Sequence, residues 1–286
     1  MEINIWVEKY RPIKIGDIVL DKTTKETFEK YEKEGFSNNL LFSGAPGTGK
    51  TTVAKILTKN PKFQTLWMNG SDQRGIECVR TQIQNFIQTK SFAERKIVCI
   101  DEGEALTPEA YGALKGIIEQ YYRNASFIIT TNFLYKVPTA IRSRFVLFEF
   151  KKPSKEDALK FLKGILEKEK IEFELKDLDT IYRSCAGDLR RSLNYLQRWS
   201  ISGNLELPQD TYAELYKLIK AGNIIDLKRY FAMNSCDWDG LYRFLFEHIE
   251  DPAKAILLAK YAYQDGFVVD KEINFIGFCA ELSRLK

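Results

Sequence analysis

From Leu40 to Phe150 short apolar runs alternate with segments in which apolar residues recur every three or four positions. The runs LLFSG (40–44), FQTLWMNG (63–70), KIVCI (96–100), SFIITTN (126–132) and FVLFEF (145–150) read as strands. Between them TTVAKILTKN (51–60), IECVRTQIQNFIQ (76–88) and PEAYGALKGIIEQYY (108–122) carry the apolar spacing of helices that cover a sheet. This alternation predicts βαβ units, a mostly parallel sheet and a three-layer α/β domain.

Beyond KKP (151–153) the strand pattern stops. SKEDALKFLKGILEKEK (154–170) predicts a helix with Ser154 as N-cap and Asp157 three positions on, close to a capping box. Two more helices follow, ELKDLDTIYRSCA (174–186) and DLRRSLNYLQRW (188–199), separated at Gly187. The break ISGNLELP (201–208) leads into a purely helical pattern rich in aromatics, which fits a separate bundle. The predicted divisions are therefore 1–151, 152–204 and 205–286, with no internal repeat and no low-complexity tract.

Composition narrows the chemistry. A chain of 286 residues with 44% hydrophobic content can bury a sizeable core in more than one compact unit. Its five cysteines are widely spaced and form no CxxC pair, so they read as free thiols and not as zinc ligands or a disulfide framework. His248 is the single histidine, which removes His-ligated metal clusters and Ser-His-Asp catalysis. Any reaction must use carboxylates, Lys, Arg and hydroxyls. The apolar runs are only strand-length and Glu2, Glu8, Lys9 and Arg11 occupy the N-terminal stretch, so a soluble, intracellular protein with no membrane association is expected. With 43 basic and 39 acidic residues, an anionic partner would have to be met by a local patch.

Directly after the strand LLFS, Gly44-Ala45-Pro46-Gly47-Thr48-Gly49-Lys50-Thr51-Thr52 fits G-x-x-x-x-G-K-[ST] and opens a helical pattern. Such a loop turns its N–H groups toward phosphate oxygens, and the helix N-terminus adds partial positive charge. Lys50 is expected on the β and γ phosphates of ATP and Thr51 on Mg2+. In IVCIDE an apolar strand delivers Asp101 and Glu102 to its C-terminal end, Asp101 toward the metal ion and Glu102 as the group that orients or deprotonates the attacking water. SFIITTN ends in Asn132, whose amide can donate to phosphate and accept from that water. Hydrolysis, not binding alone, is the expected outcome.

These residues resemble the AAA+ ATPases of sliding-clamp loaders, specifically the small subunits of replication factor C and their phage counterparts. WVEKYRP (6–12) resembles the family's N-terminal box, IDEGEALTPEA its second Walker element, NGSDQRGIECVR (69–80) its N-x-S-D-x-R-G-I segment, and GDLRRSLNYLQ (187–197) its second sensor. The resemblance covers about the first two hundred residues, and the helical tail fits the family's collar by position and composition. It implies that Tyr10, Arg11, Pro12, Ile18 and Val19 line the adenine pocket, that Asn132 is sensor 1, and that Arg190 is sensor 2 on a mobile lid. SRF (143–145) stands where the family usually has SRC, which makes Arg144 the finger that reaches a neighbouring subunit's ATP and Phe145 a packing change. Arg142 competes for that role.

The resemblance also implies that Arg74, Gly75, Ile76 and Arg80 face a central chamber, where helix N-termini track the DNA backbone without reading bases. Lys115, followed by Gly116 where relatives carry a second basic residue, implies a weaker DNA contact. IIEQYY (117–122) resembles the family segment that meets the clamp, which implies Ile118, Tyr121 and Tyr122 as its apolar anchors. The implied partners are primer-template DNA, a sliding clamp, copies of this chain and at least one distinct subunit, in a pentamer. A cytoplasmic setting is expected, bacterial or phage-infected with an inclination toward a viral replisome, or a nuclear one in a eukaryote. The competing readings are a AAA+ DNA motor such as a branch-migration helicase, which SRF also suits, and an ATP-binding subunit that does not hydrolyse.

Overall fold

The computed structural model describes residues 5–185, 187–202, 211–233, 236 and 238–285. It divides into two compact units, Met1–Asn204 and Leu205–Lys286, and the break read at 201–208 lies largely outside the described residues.

In the first unit α1 (Trp6–Lys9) and α2 (Lys22–Glu34) precede the alternating series β1 (Leu40–Gly44), α3 (Lys50–Leu57), β2 (Phe63–Asn69), α4 (Ile76–Gln88), β3 (Arg95–Asp101), α5 (Pro108–Tyr121), β4 (Ala125–Thr131), α6 (Thr139–Arg142) and β5 (Val146–Phe150). Helices α7 (Lys155–Lys168), α8 (Leu175–Ser184) and α9 (Leu189–Ser202) complete it. The strands form one parallel sheet in the order β2-β3-β4-β1-β5. The fold is therefore the α/β architecture that the alternation predicts.

Period-2 alternation divides each central strand between two cores. Val98, Ile100, Phe127 and Ile129 face a cluster with Val79, Ile83 and Ile87 of α4 and Leu114 and Ile117 of α5. Ile97, Cys99, Ile128 and Phe42 face the other side, against Phe28 of α2 and Val53, Ala54 and Leu57 of α3. A sheet buried on both faces explains why its inner strands read as unbroken apolar runs. At the edge, Val146 and Leu147 of β5 remain about two-fifths exposed.

Local chemistry sets the helix starts. Thr107 Oγ1 accepts from the Ala110 N–H at 3.2 Å ahead of Pro108 at the first position of α5, and Ser154 Oγ accepts from the Asp157 N–H at 3.2 Å at the start of α7. Helix α2 had no sequence forecast, because KTTKETFEKYEKE is polar nearly throughout. It is anchored by the fully buried Phe28 and by Asp21, which accepts from the Thr24 N–H at 3.0 Å.

The second unit holds α10 (Thr211–Ala221), α11 (Ile224–Met233), α12 (Trp238–His248), α13 (Pro252–Gln264) and α14 (Lys271–Leu282) around an aromatic-rich core that includes Phe231, Tyr242, Phe275 and Phe278. His248 is stacked on Phe244 with Nδ1 2.8 Å from the Phe244 carbonyl, and all five cysteines are free. Among the described residues no helix is long and apolar enough to cross a membrane.

Candidate nucleotide site and the exposed start of α4

Strand order creates the site. β4 lies between β1 and β3, so the loop after β1, the acids after β3 and the polar tip of β4 meet at one edge of the sheet. Lys50 is only 7% exposed. Its ammonium donates to the carbonyls of Gly44 and Ala45 and to Asn132 Oδ1, each at 2.8 Å. Burial pushes its pKa down to about 8, opposed first by the charge of Glu104 and then by that of Asp101, while the nearby Arg190 adds to the lowering. The ammonium still keeps its proton at neutral pH, and an anionic ligand would stabilise that charge.

Asp101 Oδ1 accepts from Thr51 Oγ1 at 2.8 Å and from Thr130 Oγ1 at 2.5 Å, which joins the tips of three elements. Glu102 adopts a left-handed backbone (φ 55°), one of two non-glycine residues to do so among the described residues. Its N–H donates to Thr130 Oγ1 at 3.2 Å, and its Oε2 accepts from Ser71 Oγ at 2.5 Å. The Gly70 N–H donates to the Asp101 carbonyl at 2.7 Å, and a Cβ at Gly70 would stand 2.4 Å from the Glu102 carbonyl oxygen. The NGSD turn is thereby seated on the acids of β3.

Glu104, which carried no role in the sequence reading, sits behind Asn132. Its Oε1 accepts from the Asn132 backbone N–H at 3.1 Å and from Nδ2 at 2.8 Å. The signal that could have found it is its place in DEGE, two residues past the pair that was read.

A cleft beside the phosphate loop is lined by Tyr10, Arg11, Pro12, Ile18 and Val19 together with Gly47, Thr48, Gly49, Thr51, Thr52 and Arg190. The N-terminal box reaches this position by docking on α7 and α9. The Trp6 N–H donates to Gln197 Oε1 at 2.9 Å, Tyr10 hydrogen-bonds Glu169, and Lys9 pairs with Glu169 at 2.6 Å. Pro46 is the exposed crest of the loop, and Thr48 Oγ1 closes the turn on the Ala45 carbonyl at 2.8 Å. Asp188 starts α9 by accepting from the N–H groups of Arg190 and Arg191, and its carboxylate lies against Gly47.

Arg144 stands apart from this network. Its guanidinium pairs with Glu119 of α5 and donates to the Ala140 carbonyl at 2.6 Å. Arg142 donates to Thr139 Oγ1 at 2.9 Å, and Phe145 packs at the border of the α4–α5 core. One expectation is overturned on the next surface: Ile118 is 3% exposed inside that core, so it cannot anchor a partner. Its spacing marked burial. Tyr121 is half-buried with its hydroxyl accepting from Gln88 Nε2 at 2.8 Å, whereas Tyr122 is 58% exposed.

Helix α4 begins differently. Arg74, Gly75, Ile76 and Arg80 are all exposed, Val79 behind them is fully buried, and Lys115 on the adjoining α5 is half-buried. Gly75 is an extended N-cap (φ −85°) with no side-chain hydrogen bond to the first turn, so its N–H groups are left for solvent or a ligand. Glu77 shares that turn and subtracts from its positive charge.

Comparison with known proteins follows the geometry. Residues 40–152 match the ATPase family associated with various cellular activities (AAA). The replication factor C small subunit of Sulfolobus acidocaldarius is 36% identical over 222 residues, which cover 75% of this chain and 67% of that protein. The chain belongs to the replication factor C small-subunit family. The small subunit of Sulfurisphaera tokodaii (37%, covering 75% and 66%) and replication factor C subunit 3 of Blastobotrys adeninivorans (38%, covering 67% and 59%) are similar as well. The chain thus spans about two thirds of the length of the small subunits it matches. Among solved structures, the RuvB Holliday junction branch migration motor of Thermotoga maritima superposes with a TM-score of 0.58 at 17% identity over 82% of this chain and 85% of that one, a likeness of fold. The match of residues 40–152 to the AAA ATPase family implies nucleotide binding by that domain.

Proposed function

We propose that this chain is an ATPase subunit of a DNA polymerase sliding-clamp loader, which assembles with copies of itself and a distinct subunit, opens a clamp and loads it on primer-template DNA. The single observation that carries the reading is the convergence at one sheet edge of two hydrogen-bonded pairs, Lys50 with Asn132 and Thr51 with Asp101. Similarity to replication factor C small subunits supports the choice of partners.

In this reading Lys50 exchanges its carbonyl partners for the β and γ phosphates, and the cleft walled by Tyr10, Arg11, Pro12, Ile18 and Val19 takes adenine. Thr51 and Asp101 would hold Mg2+: a hydroxyl and a carboxylate 2.8 Å apart are oxygen donors that suit a hard cation. An ion held by these two side chains would supply positive charge to offset that of the phosphate oxygens. Glu102 leaves Ser71 to orient or deprotonate the attacking water, and Asn132 accepts from that water. Arg190 closes over the γ-phosphate from α9. Arg144 leaves Glu119 to stabilise charge on the ATP of the adjacent subunit.

The polyanion partner belongs at α4. Arg74, Gly75, Ile76 and Arg80 offer uncapped N–H groups and two guanidinium charges to a phosphate backbone, with Lys115 adding a weaker contact. Tyr122, and Tyr121 in part, remain as clamp contacts. ATP acts through its higher affinity for the DNA-competent assembly, and hydrolysis releases the closed clamp.

The test is steady-state ATP turnover of the assembled loader with and without clamp and primer-template DNA, beside an Arg74→Ala/Arg80→Ala variant. Stimulation by clamp and DNA together, reduced in the variant, is the expected result. High turnover on DNA that ignores every clamp would replace this reading with a translocating motor.

A further inference from the structure

We propose that Glu104 is a positioning residue of the nucleotide site, holding Asn132 so that its amide oxygen and not its amide nitrogen is turned toward Lys50 and the phosphate loop. The inference rests on the ATPase reading above and deepens it.

The orientation follows from the chemistry of the two neighbours. On one side of Asn132 stands the Lys50 ammonium, which can only donate, at 2.8 Å from Oδ1. On the other stands Glu104 Oε1, which as a carboxylate can only accept, 2.8 Å from Nδ2. A flipped amide would set N–H against ammonium and carbonyl against carboxylate, losing both bonds. Glu104 also takes the Asn132 backbone N–H at 3.1 Å, so main chain and side chain are fixed by the same oxygen. Its second oxygen, Oε2, is buried with no partner among the described residues.

Once Lys50 turns to phosphate, Asn132 therefore presents an acceptor to the reacting region. An acceptor suits a water molecule, whose proton must be directed away from phosphorus, better than it suits a phosphate oxygen. Glu104 touches neither nucleotide nor water in this scheme and acts through Asn132.

The experiment is a double-mutant cycle on the assembled loader, with clamp and DNA, that measures kcat and ATP affinity separately for Glu104→Gln, Asn132→Ala and the pair. Glu104→Gln keeps the size of the side chain, and thermal unfolding checks that each variant folds. We expect Glu104→Gln to lower kcat about tenfold or more while ATP affinity changes less than about threefold, the loss being that of a hydrogen bond to a charged group. In the Asn132→Ala background the same change should do nothing further. A charge exchange adds a second reading: Asn132→Asp sets two carboxylates together, and Glu104→Gln should restore part of the lost turnover. Wild-type kcat in Glu104→Gln, losses that multiply with Asn132→Ala, or no rescue of Asn132→Asp would overturn the role of Glu104. A wild-type assembly that turns over no ATP, or an Asn132→Ala variant as fast as wild type, overturns the site reading itself and Glu104 with it.

Discussion

Two loops in this molecule share one local recipe, strand then glycine-containing turn then helix, and end in opposite surroundings. The loop between β1 and α3 is enclosed. Gly47 sits at φ +76° with Asp188 against it, and the helix that follows begins with a lysine that is almost fully buried. The loop between β2 and α4 is open: Gly75 has an ordinary extended backbone, nothing lies within 4 Å of where a Cβ would stand, and both neighbouring arginines are exposed. Both helix starts favour anions through the same unpaired N–H groups. Enclosure makes the first a site for a small ligand, whereas openness suits the second to a long polyanion that can approach from outside.

The sharpest test of this contrast is to remove the charge of Glu102, the acid proposed to act on water beside the enclosed loop. Glu102→Gln should cut turnover by about a hundredfold or more, as loss of a general base does, and should leave ATP binding largely intact in a fluorescent-nucleotide titration. Unchanged turnover would sink the assigned chemistry.

Gly47→Ala comes next. A Cβ there would lie 2.4 Å from Asp188 Oδ1 in a left-handed conformation, so a stability loss on the order of 1–3 kcal/mol in denaturant unfolding should accompany weakened nucleotide binding. The open loop should show the reverse separation. Arg74→Ala with Arg80→Ala should weaken duplex binding and reduce the slope of log affinity against log salt by about 2, with nucleotide binding in the isolated chain unchanged. Gly75→Ala should have the smallest effect on the fold, less than about 1 kcal/mol, and any fall in DNA affinity would then report close backbone approach. A Gly75→Ala variant that unfolds would erase the distinction between the two glycines.

Much of the enclosed site was legible because its motifs are local. G-x-x-x-x-G-K-[ST] and an apolar run ending in Asp-Glu each encode their geometry within a few residues. Helix α4 was read to its first and last residue, since Val79, Ile83 and Ile87 repeat at a helical interval. Ile118 was misread because an apolar residue at helical spacing has the same pattern whether it meets a core or a partner. Glu104, Glu119 and Asp188 were passed over because each acquires its meaning from a residue brought to it by folding: Asn132, Arg144 and Gly47.

The sequence by itself determined the α/β architecture, the phosphate loop, the acidic strand end and the family, because backbone periodicity and short motifs are properties of consecutive residues. Only the tertiary structure decided which side chains complete that loop, which face of α5 is free and which way the Asn132 amide is turned. Those depend on strand order and on donors and acceptors that lie tens of residues apart in the chain, and no local pattern carries that information.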